Sequence, residues 1–156
     1  MGQFHKMPFH QRLGAMGDQA ETVFERTYPE GWARFGLNRP PINVSMLPQI
    51  LRYTPDYITA KGLVECQGFG RDQLFKLKLT KWASLLEWNR IHRTDLFLWD
   101  SHNKQFGWLR LGDFASVLDR GWAKLKAFEN DGNEYWELEA DAVPVVGWHP
   151  YELEAS

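Results

Sequence analysis

Cysteine is nearly absent: Cys66 is the only one in 156 residues. That excludes a disulfide framework and a thiolate zinc set. No apolar run approaches the length needed to cross a membrane. The amino terminus lacks the apolar core of a signal peptide. No membrane partner is expected, and a reducing, cytoplasmic setting fits. The five histidines show no metal-ligand spacing. There is no Gly-Lys-Ser/Thr phosphate loop. Ser45, Ser84, Ser101 and Ser116 lack a nucleophile-elbow context. His102-Asn103 has no matching helix histidine and reads as a turn. A net charge of −2 argues against a uniformly basic coat.

Aromatic residues and segregated charge are what the chain does have. Eight Trp can fill a core, stack on bases or form a partner surface. Residues 1–94 carry 13 Lys/Arg against 8 Asp/Glu, and residues 95–156 carry 5 against 12. Such asymmetry can steer an anionic polymer to one face, or leave an acidic solvated surface.

The order of elements is that of a mixed α/β domain. Residues 1–14 read as a loose arm. Asp18-Gln19-Ala20-Glu21 resembles a capping box, predicting a helix from Asp18 to about Tyr28. Trp32 to Leu37 reads as a first strand. Ile50–Thr59 and Leu63–Gln67 read as a hairpin, with Pro55 implying an edge or bulge. Gly68-Phe69-Gly70 breaks the second strand. A long helix is predicted from Asp72 to Ile91, with Phe75, Leu79, Trp82 and Leu86 as its buried stripe. Leu96–Trp99 and Phe106–Leu111 read as strands, and 112–118 as a short helix. Asn130-Asp131-Gly132-Asn133 predicts a hairpin between 122–128 and 135–140. From Val143 the chain looks irregular. The whole reads as one domain: the arm, a core over residues 14–100, and an extension over 101–156 with an extra C-terminal β-hairpin.

The hairpin at residues 50–67 carries the chemistry. If Ala60 and Lys61 are its turn, facing residues have numbers summing to 121, so Asp56 faces Glu65. Directly opposed residues have Cβ atoms about 4.5–5.5 Å apart. Two carboxylates that close repel unless a cation compensates, and a hard divalent ion would do so. Gln67 shares the face of Glu65, since strand side chains alternate. A solvated strand face with incidental acids is the competing reading.

Pro55-Asp56 followed by Glu65-Cys66-Gln67, behind a helix bearing Glu21, resembles the PD-(D/E)XK nuclease superfamily. Val64-Glu65-Cys66-Gln67-Gly68 with downstream lysines looks most like its phage and archaeal Holliday junction resolvases. The resemblance covers about residues 14–100. It implies a restriction-endonuclease-like core, a central mixed sheet flanked by helices. It also implies Mg²⁺, with Mn²⁺ as substitute, held by Asp56, Glu65, the Cys66 backbone carbonyl and Glu21. Catalytic roles would fall to Glu21, Asp56, Glu65 and Gln67, with Glu25 as runner-up to Glu21. Gln67 stands where the family usually has Lys; Gln can orient a water but carries no charge. Lys76 or Lys78 could substitute as the cation.

The expected activity is hydrolysis of phosphodiester bonds in DNA, preferably branched DNA such as a four-way junction or flap. Were the source a phage, the setting would be the host cytoplasm. Arg39, Gly68, Gly70, Arg71, Lys76, Lys78 and Lys81 are candidate DNA contacts, with Arg90 and Arg93 behind them. A homodimer would suit a branched substrate, its surface drawn from Trp99, Trp108, Trp122 and Trp136. The alternative is a DNA-binding protein that kept the fold and lost turnover.

Overall fold

The computed structural model describes residues 9–37 and 43–154. In chain order the elements are α1 (Phe9–Thr27), β1 (Trp32–Arg34), α2 (Gln49–Arg52), β2 (Tyr57–Thr59), β3 (Gly62–Phe69), β4 (Leu74–Lys78) and α3 (Leu79–Ile91). Then follow β5 (Thr94–Asp100), β6 (Gln105–Arg110), α4 (Leu111–Asp119), β7 (Lys124–Ala127), β8 (Glu134–Glu139) and β9 (Val146–Pro150). Six strands form a central mixed sheet in the order β1-β2-β3-β5-β6-β9. A second sheet has the order β4-β8-β7. This is the mixed α/β architecture expected, a central sheet flanked by helices.

β3 and β5 are its parallel pair, from Leu63↔Thr94 to Phe69↔Asp100. Parallel strands need a crossover of a dozen or more residues, and β4 with α3 supplies it. Both strands are buried on their two faces, as parallel strands are. On one face α1 lays Ala20, Val23 and Phe24 against Tyr57, Val64, Cys66, Phe97 and Trp99. Phe24 is the hub of that layer, with ring centroids 4.5 Å from Tyr57 and 5.4 Å from Phe97. On the other face Leu96, Leu98 and Leu109 meet Leu85 of α3, Phe114 of α4, and Phe75, Leu77 and Leu138 of the second sheet.

Several boundaries differ from those the sequence predicts. Helix α1 begins at Phe9, so residues 9–14 are helical and Asp18 lies inside the helix rather than capping it. Gln11, Arg12, Leu13, Ala15 and Met16 are strong helix formers and outweigh Gly14 and Gly17. The first strand is only three residues long. Residues 49–52 form a helical turn instead of the start of a strand. The predicted long helix from Asp72 divides: Leu74–Lys78 is a strand, and the helix starts at Leu79. Leu74-Phe75-Lys76-Leu77-Lys78 alternates with period two, and Phe75 and Leu77 are fully buried on one side. Leu86, assigned to a buried stripe, is exposed, and Leu85 is buried in its place. β3 runs through Gly68 and Phe69 without a break. The C-terminal segment is not irregular, because β9 pairs with β6. Trp99 is buried and cannot serve a dimer surface; of the four Trp named for that role, only Trp122 is exposed.

The β2–β3 hairpin has the predicted register, Thr59↔Gly62, Ile58↔Leu63 and Tyr57↔Val64. Gly62 fixes it. Its φ of 144° is disfavoured for residues with a side chain, and a Cβ there would collide with the Arg93 carbonyl oxygen. That carbonyl accepts a hydrogen bond from the Leu63 N–H at 2.7 Å.

Candidate functional site

The ladder between β2 and β3 stops at Tyr57↔Val64. Pro55 precedes it and has no N–H to continue the pairing. Asp56 therefore stands one residue beyond the ladder, and its backbone is held from the other side. Its carbonyl oxygen accepts from the N–H of Phe35 at 2.9 Å and of Gly36 at 3.2 Å. Its carboxylate turns onto the open edge of β3, where Oδ2 accepts the Cys66 N–H at 2.8 Å. The N–H and C=O of one strand residue leave on the same side. The Cys66 carbonyl thus points toward Asp56 as well.

Glu65, the residue after Val64 on β3, is buried, and its carboxylate also draws on the Asp56 backbone N–H. Lys81 lies in the first turn of α3 and donates from Nζ to Glu65 Oε1 at 3.0 Å. Gln67, two residues along β3, donates from Nε2 to the Lys76 carbonyl of β4. Its Oε1 is buried with no hydrogen-bond partner among the described residues. The face thus gathers two carboxylates, one ammonium and an amide with an idle acceptor.

The electrostatics follow from burial. Desolvation first and the Glu65 charge second push the Asp56 carboxyl up to about 8, against the Cys66 N–H that favours its anion. Desolvation also raises Glu65, opposed by the charge and hydrogen bond of Lys81. For Lys81 burial acts downward, yet Glu65 and then Asp56 hold its pKa above the usual value, so it stays a cation. Burial drives the Cys66 thiol well up, so Cys66 offers backbone groups and no thiolate.

Glu21 is placed by α1 and engaged by Arg34 of β1, whose Nη1 and Nη2 lie 3.1 and 3.4 Å from its two oxygens. Arg34 also sits 4.7 Å over the Tyr57 ring and 3.6 Å from Glu25. Glu25 accepts the Tyr57 hydroxyl at 2.7 Å. Glu21 is close enough to add its charge to Asp56, Glu65 and Cys66. Sequence reading missed Arg34; the strand that holds it was expected, but the register Arg34↔Tyr57 that aims it is set by pairing with β2 and not by the local sequence.

The candidate contacts disperse. Gly68 and Gly70 approach α1: a Cβ on Gly68 would lie 3.1 Å from the Met16 carbonyl oxygen, and one on Gly70 3.0 Å from the Met16 Cε. Close helix packing explains both glycines. Arg71 is exposed in the following turn. Arg39 lies outside the described residues. Lys76 and Lys78 are on β4 and Lys81 on α3, so it is Lys81, and not Lys76 or Lys78, that reaches the carboxylates. Arg90 and Arg93 pair with Glu87 and Asp95.

The donor set fits a hard cation. Among the described residues no three His, Cys, Asp or Glu side chains gather as a metal cluster. Two carboxylates, a strand carbonyl and open positions suit Mg²⁺, which keeps several waters and takes one or two carboxylates beside phosphate. The idle Gln67 oxygen and the paired, uphill carboxyls are what such an ion with its waters would satisfy. A cleft of about 420 Å³ lies elsewhere, lined by Tyr28, Phe97, Trp108 and Arg110 and by neither Asp56 nor Glu65.

No described helix is long and apolar enough to cross a membrane. No family model and no curated protein matches the chain. Among solved structures the chain is similar to Hjc, a Holliday junction resolvase from the archaeal hyperthermophile Archaeoglobus fulgidus, at 11% identity, over 83% of this chain and 89% of that one, with a TM-score of 0.47.

Proposed function

We propose that this chain is a metal-dependent endonuclease that hydrolyses phosphodiester bonds in DNA. The observation that carries the reading is the meeting of Asp56 and Glu65 at the open end of the β2–β3 hairpin, with Lys81 on Glu65 and the unpartnered Gln67 oxygen beside them. Asp56, Glu65 and the Cys66 carbonyl would hold Mg²⁺, or Mn²⁺ in its place. When bound, the ion supplies a lowered pKa for its water and charge screening at the phosphate.

The chain's own groups do the rest. Gln67 is braced on β4 through its amide nitrogen, so its oxygen has a fixed direction in which to accept a hydrogen bond from the attacking water and orient it. Lys81 provides the positive charge that Gln67 lacks, and supports negative charge developing on the phosphate. Glu21, tethered by Arg34, adds negative potential that favours a cation at the carboxylate pair. Branched DNA is the preferred substrate, a preference that rests on the sequence motif. A homodimer would place two such sites on two strands.

A DNA-binding protein without turnover is the second reading, favoured by Gln67 in the usual lysine position. Labelled four-way junctions, flaps and linear duplexes incubated with Mg²⁺ or Mn²⁺ separate the two. Cleavage that disappears in Asp56→Ala supports the nuclease. Binding without cleavage under every metal condition establishes the second reading. Lys81→Ala is expected to lower the cleavage rate by about 10²-fold or more, the scale for losing one charge-stabilising group.

A further inference from the structure

The second sheet has one face in the core and one toward solvent. Leu77 and Leu138 are buried on the inner face, with Trp136 packed beside them. The outer face is written by the ladders. Lys124 pairs with Glu137, which pairs with Lys76. In the next row Lys126 pairs with Tyr135, which pairs with Lys78. All six residues share one parity and hence one face. Four lysines from two strands therefore surround one glutamate and one tyrosine.

The face is built, not incidental. Tyr135 is buried and stacks on Phe128 at 4.2 Å. Lys76 Nζ lies 5.7 Å from the Tyr135 ring centre and Lys78 Nζ 5.9 Å from that of Phe128. The aromatic pair props the ammonium groups up toward water. Glu137 is buried and is met by Lys126 Nζ at 2.7 Å. Lys76 is 3.9 Å from Asp72, and Glu139 stands at the Leu74 end of the face. Neither Lys78 nor Lys124 has an ion pair among the described residues. Two of the five basic residues in the acidic half of the sequence are thus spent on this one face.

The face also joins the carboxylate site. Gln67 is bonded to the backbone of Lys76 itself, and Lys81 follows Lys78 by three residues. Lysines two apart on a strand are about 6.6–6.8 Å apart. A single DNA strand carries one phosphate per about 3.4 Å of helix axis. Measured along the helix axis, the lysine spacing covers about two such rises.

We infer that the outer face of β4-β8-β7 is a contact surface for the DNA sugar–phosphate backbone, with Lys124 and Lys126 extending the path that begins at Lys76, Lys78 and the carboxylate pair. The inference rests on the nuclease reading for its choice of DNA, but its test is independent of cleavage.

Binding of a junction and of a linear duplex is measured in the Asp56→Ala background, without divalent metal, from 50 to 200 mM salt. Lys124→Ala/Lys126→Ala is expected to weaken binding at least tenfold at 0.1 M salt. The slope of log K against log salt should fall by about 1.8, the value for two lost phosphate contacts. Lys124→Arg/Lys126→Arg keeps the charge and should restore both. Lys104→Ala, a cation elsewhere on the surface, should change neither. Unchanged affinity and slope in the double alanine variant, with its melting temperature retained, overturn the surface. Failure of the arginine variant to restore binding overturns it also, since loss would then reflect structure around Glu137. Tighter binding to duplex RNA of equal length overturns DNA as the occupant. The expected loss of affinity, together with a parent protein that cleaves no DNA under Mg²⁺ or Mn²⁺, leaves the surface standing and removes the nuclease.

Discussion

At the scale of single residues, the carboxylate pair is a place where stability and function oppose each other. Asp56 titrates near 8 in the fold and in the ordinary carboxylate range when unfolded. The native state then binds more protons than the unfolded state between those values, so stability falls as pH rises through that window. Asp56→Asn removes the titration and keeps an oxygen for the Cys66 N–H. In metal-free buffer at pH 8.5 it is expected to melt above the parent, by roughly 2–4 °C for each kcal/mol recovered, and to cleave nothing. At pH 5 the gap should be smaller, and below the ordinary carboxylate range, near about pH 3, the two should melt together. Mg²⁺ should raise the melting temperature of the parent and leave Asp56→Asn unmoved; equal shifts would show that the ion binds elsewhere. Lys81 has the opposite sign. Lys81→Met leaves Glu65 buried without its partner, a loss of about 3–5 kcal/mol when the carboxylate is ionised. Glu65 escapes by taking up a proton, so the deficit measured by denaturant should be largest near pH 8 and shrink toward pH 5.

At the scale of elements, what could be read from sequence depended on whether the local pattern and the tertiary partner agreed. The β2–β3 hairpin was legible because Ala60-Lys61-Gly62 carries its own turn chemistry, and the register that sets Asp56 against Glu65 follows from it. The strand at Leu74–Lys78 was not. Phe75, Leu79, Trp82 and Leu86 fit a helical stripe as well as a strand followed by a helix, and only the pairing with β8, some 60 residues later, selects the strand. The same ambiguity hid the position of Lys81, which reaches Glu65 only because α3 starts at Leu79. Arg34 was hidden although its strand was expected, because only the pairing of β1 with β2 aims it at Glu21. Gly62 tests the legible part. Gly62→Ala forces a side chain into a φ of 144° against the Arg93 carbonyl. The expected result is a destabilisation of at least about 1–3 kcal/mol, read by chemical denaturation. Metal affinity should weaken in the same variant, because the hairpin that opposes the two carboxylates is displaced. Intact metal affinity in a destabilised protein would detach the site from the register.

At the scale of the whole molecule, the acidic and basic halves of the sequence do not form separate halves of the fold. β6 and β9 complete the central sheet on one side of β5, while β7 and β8 turn back to pair with β4. The face of the sheet opposite α1 takes Leu109, Leu111, Phe114, Val117 and Leu138 from beyond residue 100. Without them Phe75, Leu77, Leu85, Leu96 and Leu98 would lose their cover, and each buried side chain of that kind is worth about 1.5–3 kcal/mol. Marginal stabilities of about 5–15 kcal/mol cannot absorb such a loss. A chain ending at Ser101 keeps Glu21, Asp56, Glu65, Gln67 and Lys81, every residue of the carboxylate site. It is nevertheless expected to show no cooperative thermal transition and no metal-induced shift, because β4, which braces Gln67, has lost β8. A cooperative melt from that shortened chain, with Mg²⁺ still raising its midpoint, would show that the site is carried by α1, β2, β3 and α3 alone. The second sheet would then be an addition to a site that stands without it.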